Sequence, residues 1–298
     1  MRIATNTISE SVLTQIQKLS THQSVLQNQL ATGQKLFQAE DDPSGMGRIL
    51  ILDSENRQIQ QFESNANRAL EVSQATYAGL QDIKKISDRA GEIGTLGAGA
   101  SSPDAYRAYA KEVNQLIEQG LQLGNTRLRN DYLFAGTAVS TAPFVATRDA
   151  AGDITAVTYA GDAAQTKIQI SELSSLAPGS TNATNTGINA FLTNLISLRD
   201  ALNTASSTNV AAVQPTLEAS ENILVNSLSE QGAVQLRIEV AKSQQETRVS
   251  NLEGLISKEA DTDMATTAVK LSQTSTAYEA ALSSATKILQ MSLLDYLK

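Results

Sequence analysis

The chain has no cysteine, no tryptophan, one histidine and an aromatic share of 4% over 298 residues. The missing thiols exclude a disulfide framework, a thiolate metal site and a cysteine nucleophile. They also suit a chain exported unfolded, since no thiol could mispair on the way. Few aromatics against much Ala, Ser, Thr, Gln and Leu favours long helices with thin seams over a thick core. A basic excess is lacking too. The formal net charge is -8, which repels phosphate backbones and argues against nucleic acid as a partner. No apolar run approaches the roughly 20 residues that cross a membrane. The N-terminus lacks a basic n-region, an apolar h-region and a small-residue cleavage site, so no ordinary cleaved secretion signal is expected.

Catalytic groupings are equally scarce. His22 lies among Gln and Ser with no carboxylate beside it, which makes neither a triad nor a metal site. Glu40-Asp41-Asp42 lacks the ligand spacing of a calcium loop and reads as a solvated helix cap. Asp261 and Asp263 read the same way. The glycines between 91 and 99 follow no strand and precede no Gly-Lys-Ser/Thr, so they mark a helix break rather than a phosphate loop. Neither an enzyme nor a bound cofactor or metal is expected.

What the chain does have is helical periodicity at both ends. Ile8, Val12, Ile16, Leu19, Leu26 and Leu30 step by three, four or seven residues. Met264, Ala268, Leu271, Tyr278, Leu282, Ala285 and Leu289 do the same near the other end. Seams at this spacing are what a coiled-coil partner buries. Six large apolar residues over 28 positions also make an isolated terminal helix marginal. Both ends are therefore expected to pair, and to be disordered in a free monomer.

Between the ends, the first helix is predicted over 5–32, with Gly33 as a left-handed cap. Asp42-Pro43 opens a second helix, Asp42 accepting a free N–H and Pro43 filling the first turn. Leu52, Ile59, Phe62, Ala66, Ala69, Ser73, Thr76, Leu80, Ile83 and Ser87 carry its seam as far as Gly91 or Gly94. It is roughly 70 Å long. Ser102-Pro103-Asp104 repeats the start signal, and a third helix is predicted to about Arg129. From 131 to 187 the period shifts toward two. Phe144 to Thr147, Ile154 to Tyr159 and Lys167 to Ile170 read as strands, with turns at Asp149–Asp153 and Gly161-Asp162. Pro178 to Gly187 reads as a polar linker. Helices then return over about 188–204, 209–257 and from Asp263 to the end. Val213, Leu217, Ile223, Leu224, Leu228, Val234, Leu236, Ile238, Val240, Val249, Leu252 and Leu255 supply the apolar face of the 209–257 helix.

Five stretches carry a resemblance. They are Met1-Arg-Ile-Ala-Thr-Asn6, Leu30-Ala-Thr-Gly-Gln-Lys-Leu36 followed by Asp41-Asp42-Pro43, Asn130-Asp-Tyr-Leu-Phe-Ala-Gly136 with Pro143-Phe144, Tyr159-Ala-Gly-Asp162, and Ser292-Leu-Leu-Asp-Tyr-Leu297. In this order they resemble the flagellar hook-associated protein 3 family, hook–filament junction proteins related to flagellin. Gln34-Lys35 departs from the usual Lys-Arg pair.

The fold expected is mainly α with a small β insertion: a nested, flagellin-like bundle of long coiled-coil helices from the N- and C-terminal segments. Residues 1–41 with 259–298 form a terminal assembly domain, 42–130 with 188–258 a long-helix domain, and 131–187 an outer β-rich domain. The resemblance implies a homo-oligomeric ring between the hook-side junction protein (hook-associated protein 1) and flagellin. It further implies export by the flagellar type III apparatus, an extracellular place on the flagellum, and a cytoplasmic chaperone on the C-terminal helix. The inner tube would pack Ile8, Val12, Ile16, Leu19, Leu26 and Leu30 against Leu271, Tyr278, Leu282, Leu289, Leu293 and Leu297. A flagellin filament subunit and a generic secreted scaffold or adhesin are the alternatives.

Overall fold

The structure, a computed structural model, describes residues 2–36, 38–40 and 42–296, with side chains between 10 and 287. Among the described residues, six helices and six short strands follow one another as α1 (Arg2–Thr32), α2 (Pro43–Ala98), α3 (Pro103–Gly124), β1 (Arg127–Leu128), β2 (Asp131–Tyr132), β3 (Phe144–Arg148), β4 (Ile154–Tyr159), β5 (Ile168–Ser171), β6 (Ser174–Leu176), α4 (Asn182–Asn203), α5 (Ser207–Ala260) and α6 (Met264–Tyr296). The strands make three separate antiparallel pairs, β1 with β2, β3 with β4 and β5 with β6. The mainly helical fold with a small β component is as expected.

Packing divides the chain into two compact units, one of Met1–Gln58 with Arg248–Lys298 and one of Ile59–Thr247. The boundaries differ from the three-part division drawn from sequence texture. The reason is that the hairpins share a core with the helices around them. Phe144, Ile154 and Val157 are buried in one cluster with Ile83, Ile117, Phe191, Leu192 and Leu195. A second cluster packs Ala66 and Ala69 of α2, Ile170 and Leu176 of the β5–β6 hairpin, and Ile238 of α5. Burying large apolar side chains at about 1.5–3 kcal/mol each holds the Ile59–Thr247 unit together.

The α2 seam is as the periodicity requires. Ile59, Phe62, Ala66, Ala69, Ser73, Thr76, Leu80, Ile83 and Ser87 are all buried, and Leu52 is half-buried. The ends of several elements differ. Gly94 and Gly97 do not break α2, which runs to Ala98. Gly97 is small because a Cβ there would lie 2.7 Å from Leu202 Cδ2; it lets a neighbouring helix approach. α3 stops at Gly124 rather than near Arg129, because residues 127–128 pair with 131–132 across a turn with Arg129 and Asn130 at positive φ. Pro178 to Gly187 is not a linker throughout. Thr181 accepts a hydrogen bond from Thr184 N and starts α4 at Asn182.

α5 departs most from its predicted face. Ile223, Leu236, Val240 and Leu255 are exposed, while Ser220, Ser227, Gln231 and Gln245 are buried beside Leu217, Leu224, Ile238 and Leu252. Ser220, Ser227 and Gln231 have partners. Gln231 Nε2 donates to Ser73 Oγ at 2.6 Å and to the Pro178 carbonyl at 2.7 Å. Thr184 Oγ1 donates to Ser227 Oγ at 3.0 Å. Buried polar groups survive in a core when they are satisfied, so hydrophobicity alone misreads this face.

Candidate assembly interface: the paired terminal helices

Within the unit of Met1–Gln58 and Arg248–Lys298, α1 packs along α6. On α1, Leu26 is buried and Val12, Ile16, Leu19 and Leu30 are half-buried, as the seam requires. On α6, Leu271 and Tyr278 are half-buried and Ala285 is buried. The rest of the α6 seam lies one residue earlier than its apolar pattern indicates. Thr267 and Thr274 are buried and Ala281 half-buried, whereas Met264, Ala268 and Leu282 are exposed. The buried series 267, 271, 274, 278, 281, 285 alternates steps of four and three, the heptad spacing. Threonine reads as polar, but its methyl group packs and its hydroxyl can bond within its own helix. The side chains of Ile8, Leu289 and Leu293, and the whole of Leu297, lie outside the described residues.

The register of the pair is fixed where the chain reverses. Gly33, at φ +74°, caps α1, its N–H donating to Gln29 O at 2.8 Å. Gly33 O then accepts from Thr262 N at 2.8 Å, and Lys35 N donates to Ala260 O at 2.6 Å. Gln34 and Asp261 thus form an antiparallel bridge between the α1–α2 and α5–α6 connections.

The caps flank this bridge. Asp42 Oδ1 accepts from Ser44 N at 3.0 Å and Gly45 N at 2.9 Å, and Pro43 opens α2. Those bonds, the one from Gly45 foremost, hold the Asp42 carboxyl below its usual range. Asp263 caps α6, accepting from Thr266 Oγ1 at 2.6 Å and Ala265 N at 3.0 Å, and its carboxyl is lowered by Thr266 first. Arg48 Nη2 meets Glu259 Oε2 at 3.0 Å, and the pair raises the guanidinium and lowers the carboxyl. In the other unit, Ser102 caps α3 through Ala105 N at 3.3 Å with Pro103 in the first turn.

Two further sequence signatures meet each other in the Ile59–Thr247 unit. Asp162 N donates to Ala135 O at 3.0 Å, and Tyr159 Oη donates to Phe134 O at 3.1 Å. Gly136 sits at φ +67°, and a Cβ there would collide with the carbonyl oxygens of Asp162 and Ala164. The stretches 130–136 and 159–162 are therefore two halves of one tie.

His22 is exposed on α1. Among the described residues no group of three His, Cys, Asp or Glu side chains is placed to hold a metal ion. Among the same residues no helix is long and apolar enough to cross a membrane. The arrangement offers helix pairing and unfilled apolar surface: Leu13, Val25, Met264, Val269 and Leu282 remain exposed on α1 and α6, and Leu50 and Ile51 on α2.

Residues 3–139 match the family model of the bacterial flagellin N-terminal helical region. A Borreliella burgdorferi flagellar filament 41 kDa core protein is 27% identical over 94 residues, 31% of this chain and 28% of that protein's length. Three solved structures share the fold. A Vibrio parahaemolyticus protein assigned as flagellar hook-associated aligns over 74% of this chain and 100% of its own, with a TM-score of 0.66 at 16% identity. FlgL of Bacillus cereus covers 70% and 99%, with a TM-score of 0.59 at 16% identity. Hook-associated protein-3 of Legionella pneumophila covers 70% and 98%, with a TM-score of 0.58 at 12% identity. Residues 3–139 therefore resemble the flagellin N-terminal helical region, and the chain has the fold of the flagellar hook-associated proteins.

Proposed function

We propose that this chain is a structural component of the bacterial flagellum, forming the junction ring between hook-associated protein 1 and the flagellin filament. The observation that carries the proposal is the thin α1–α6 seam. One α1 leucine, Leu26, is buried, two seam positions on α6 are threonine, and apolar side chains stay exposed around the pair. Such a pair is marginal alone and gains stability when neighbouring copies cover its outer faces. The terminal helices then fold as they assemble. Export through the flagellar type III apparatus, with a cytoplasmic chaperone on α6 beforehand, keeps those faces from polymerising early. A repeated head-to-tail contact closes as a ring where its rotation allows, and runs on as a filament where it does not.

The test is Leu282→Asp with Leu289→Asp in the native locus. The variant chain stays soluble with its middle folded but is not incorporated at the hook tip, leaving hooks without filaments and flagellin in the medium. Normal filament attachment sinks the proposal. The flagellin-region match favours a second reading, a filament subunit. Purified chain that polymerises into long fibres on its own decides for that reading.

A further inference from the structure

The β5–β6 hairpin reverses in two residues, Glu172 and Leu173, between the paired Ser171 and Ser174. Turns of this length favour Gly, Asn or Asp, yet the tip carries a leucine that is 98% exposed. Neither the turn nor either apolar cluster uses it. Beside the hairpin runs a groove of about 300 Å³ whose wall includes Ser171 and Ser174, Leu236, Arg237 and Val240. Leu236 and Val240 stand one turn apart on α5 and are 62% and 52% exposed. Gln245, whose Oε1 has no partner among the described residues, also lines it. Glu172 and Arg237 are both exposed, and neither makes an ion pair among the described residues.

We infer that this face binds a second copy of the chain, the Leu173 tip of each copy seating on Leu236 and Val240 of the other. Charge complementarity identifies the occupant: each knob brings a carboxylate, Glu172, and each groove an unpaired guanidinium, Arg237. A knob beside its own groove is self-complementary, the condition for a two-fold contact. The contact is small, hence weak and concentration-dependent. It lies in the Ile59–Thr247 unit, apart from the terminal helices, so it stands or falls separately from the ring.

Sedimentation velocity on the full-length chain over a concentration series tests it. Wild type forms a reversible dimer. Leu173→Ser weakens it roughly tenfold or more, a large apolar anchor being lost. Glu172→Arg and Arg237→Glu each weaken it as well, and an equimolar mixture of these two variants restores association. At concentrations where wild type is monomeric, thermal unfolding is unchanged in all three. A monomer at every concentration, variants that associate like wild type, a mixture that restores nothing, or a melting temperature of Leu173→Ser below that of monomeric wild type each overturns the inference.

Discussion

Gln231 on α5 reaches Ser73 on α2 with a 2.6 Å hydrogen bond in a buried position. The same amide nitrogen holds the Pro178 carbonyl, so one side chain ties two long helices to the segment before α4. Gln231→Ala strands Ser73 and Pro178 O away from water, at a cost of about 1–3 kcal/mol. Replacing both side chains, Gln231→Leu with Ser73→Ala, recovers part of that loss, because only the Pro178 carbonyl is then left without its partner. Urea unfolding of the single and double variants measures the difference. A double variant no more stable than Gln231→Ala refutes it.

Two glycines with positive φ separate backbone strain from collision. Gly33→Ala has open space for its Cβ and costs about 1 kcal/mol, from the left-handed backbone alone. Gly136→Ala adds a clash with the Asp162 and Ala164 carbonyls and costs roughly 2–4 kcal/mol. Denaturant midpoints rank the two; equal losses contradict the assignment.

The carboxylates set the acid limit. Glu118 is lowered first by its hydrogen bonds to Arg148, and Asp162 first by Thr137. A group lowered on folding stabilises above its unfolded value and loses that contribution as pH falls through the folded value. The melting temperature is therefore flat from neutral pH down to about 5 and drops below about 4. Glu118→Gln melts lower than wild type at pH 7, and the gap narrows as pH falls below the ordinary carboxylate range. A constant gap across that range tells against the ion pair.

Hydrogen exchange reads the uneven distribution of buried apolar surface. Phe191, Leu192, Leu195 and Leu198 are fully buried on α4, whereas α1 buries Leu26. In the free chain, amides around Leu26 exchange far faster than those around Leu195, since few buried contacts oppose local opening. Comparable protection of the two helices contradicts the coupled folding and assembly of α1.

The sequence made the long helices legible wherever an unbroken apolar stripe carried the burial. Ile59 through Ser87 were placed on the correct face because three-to-four spacing leaves one choice. The tie between 130–136 and 159–162 was visible as two motifs but not as one structure, since nothing local says that Asp162 N points at Ala135 O. Part of the α6 seam reads one residue late because Thr267 and Thr274 count as polar, whereas Leu271, Tyr278 and Ala285 lie on the packed side. α5 was misread for the same reason: Ser220, Ser227 and Gln231 are buried by partners distant in sequence. Of the candidate assembly surface, the seam was legible, but the exposed Leu50 and Ile51 on α2 were not, because an apolar residue on a helix is ordinarily assigned to the core.

The bridge of Gly33 and Lys35 to Ala260 and Thr262 joins residues more than two hundred positions apart. Contacts this distant close slowly, since loop entropy must be met before they contribute. Topology therefore predicts an order of folding: the Ile59–Thr247 unit first, shortening the effective loop, and the α1–α6 pair last. Under that order a structured middle with open ends precedes closure, and connectivity sets the timing.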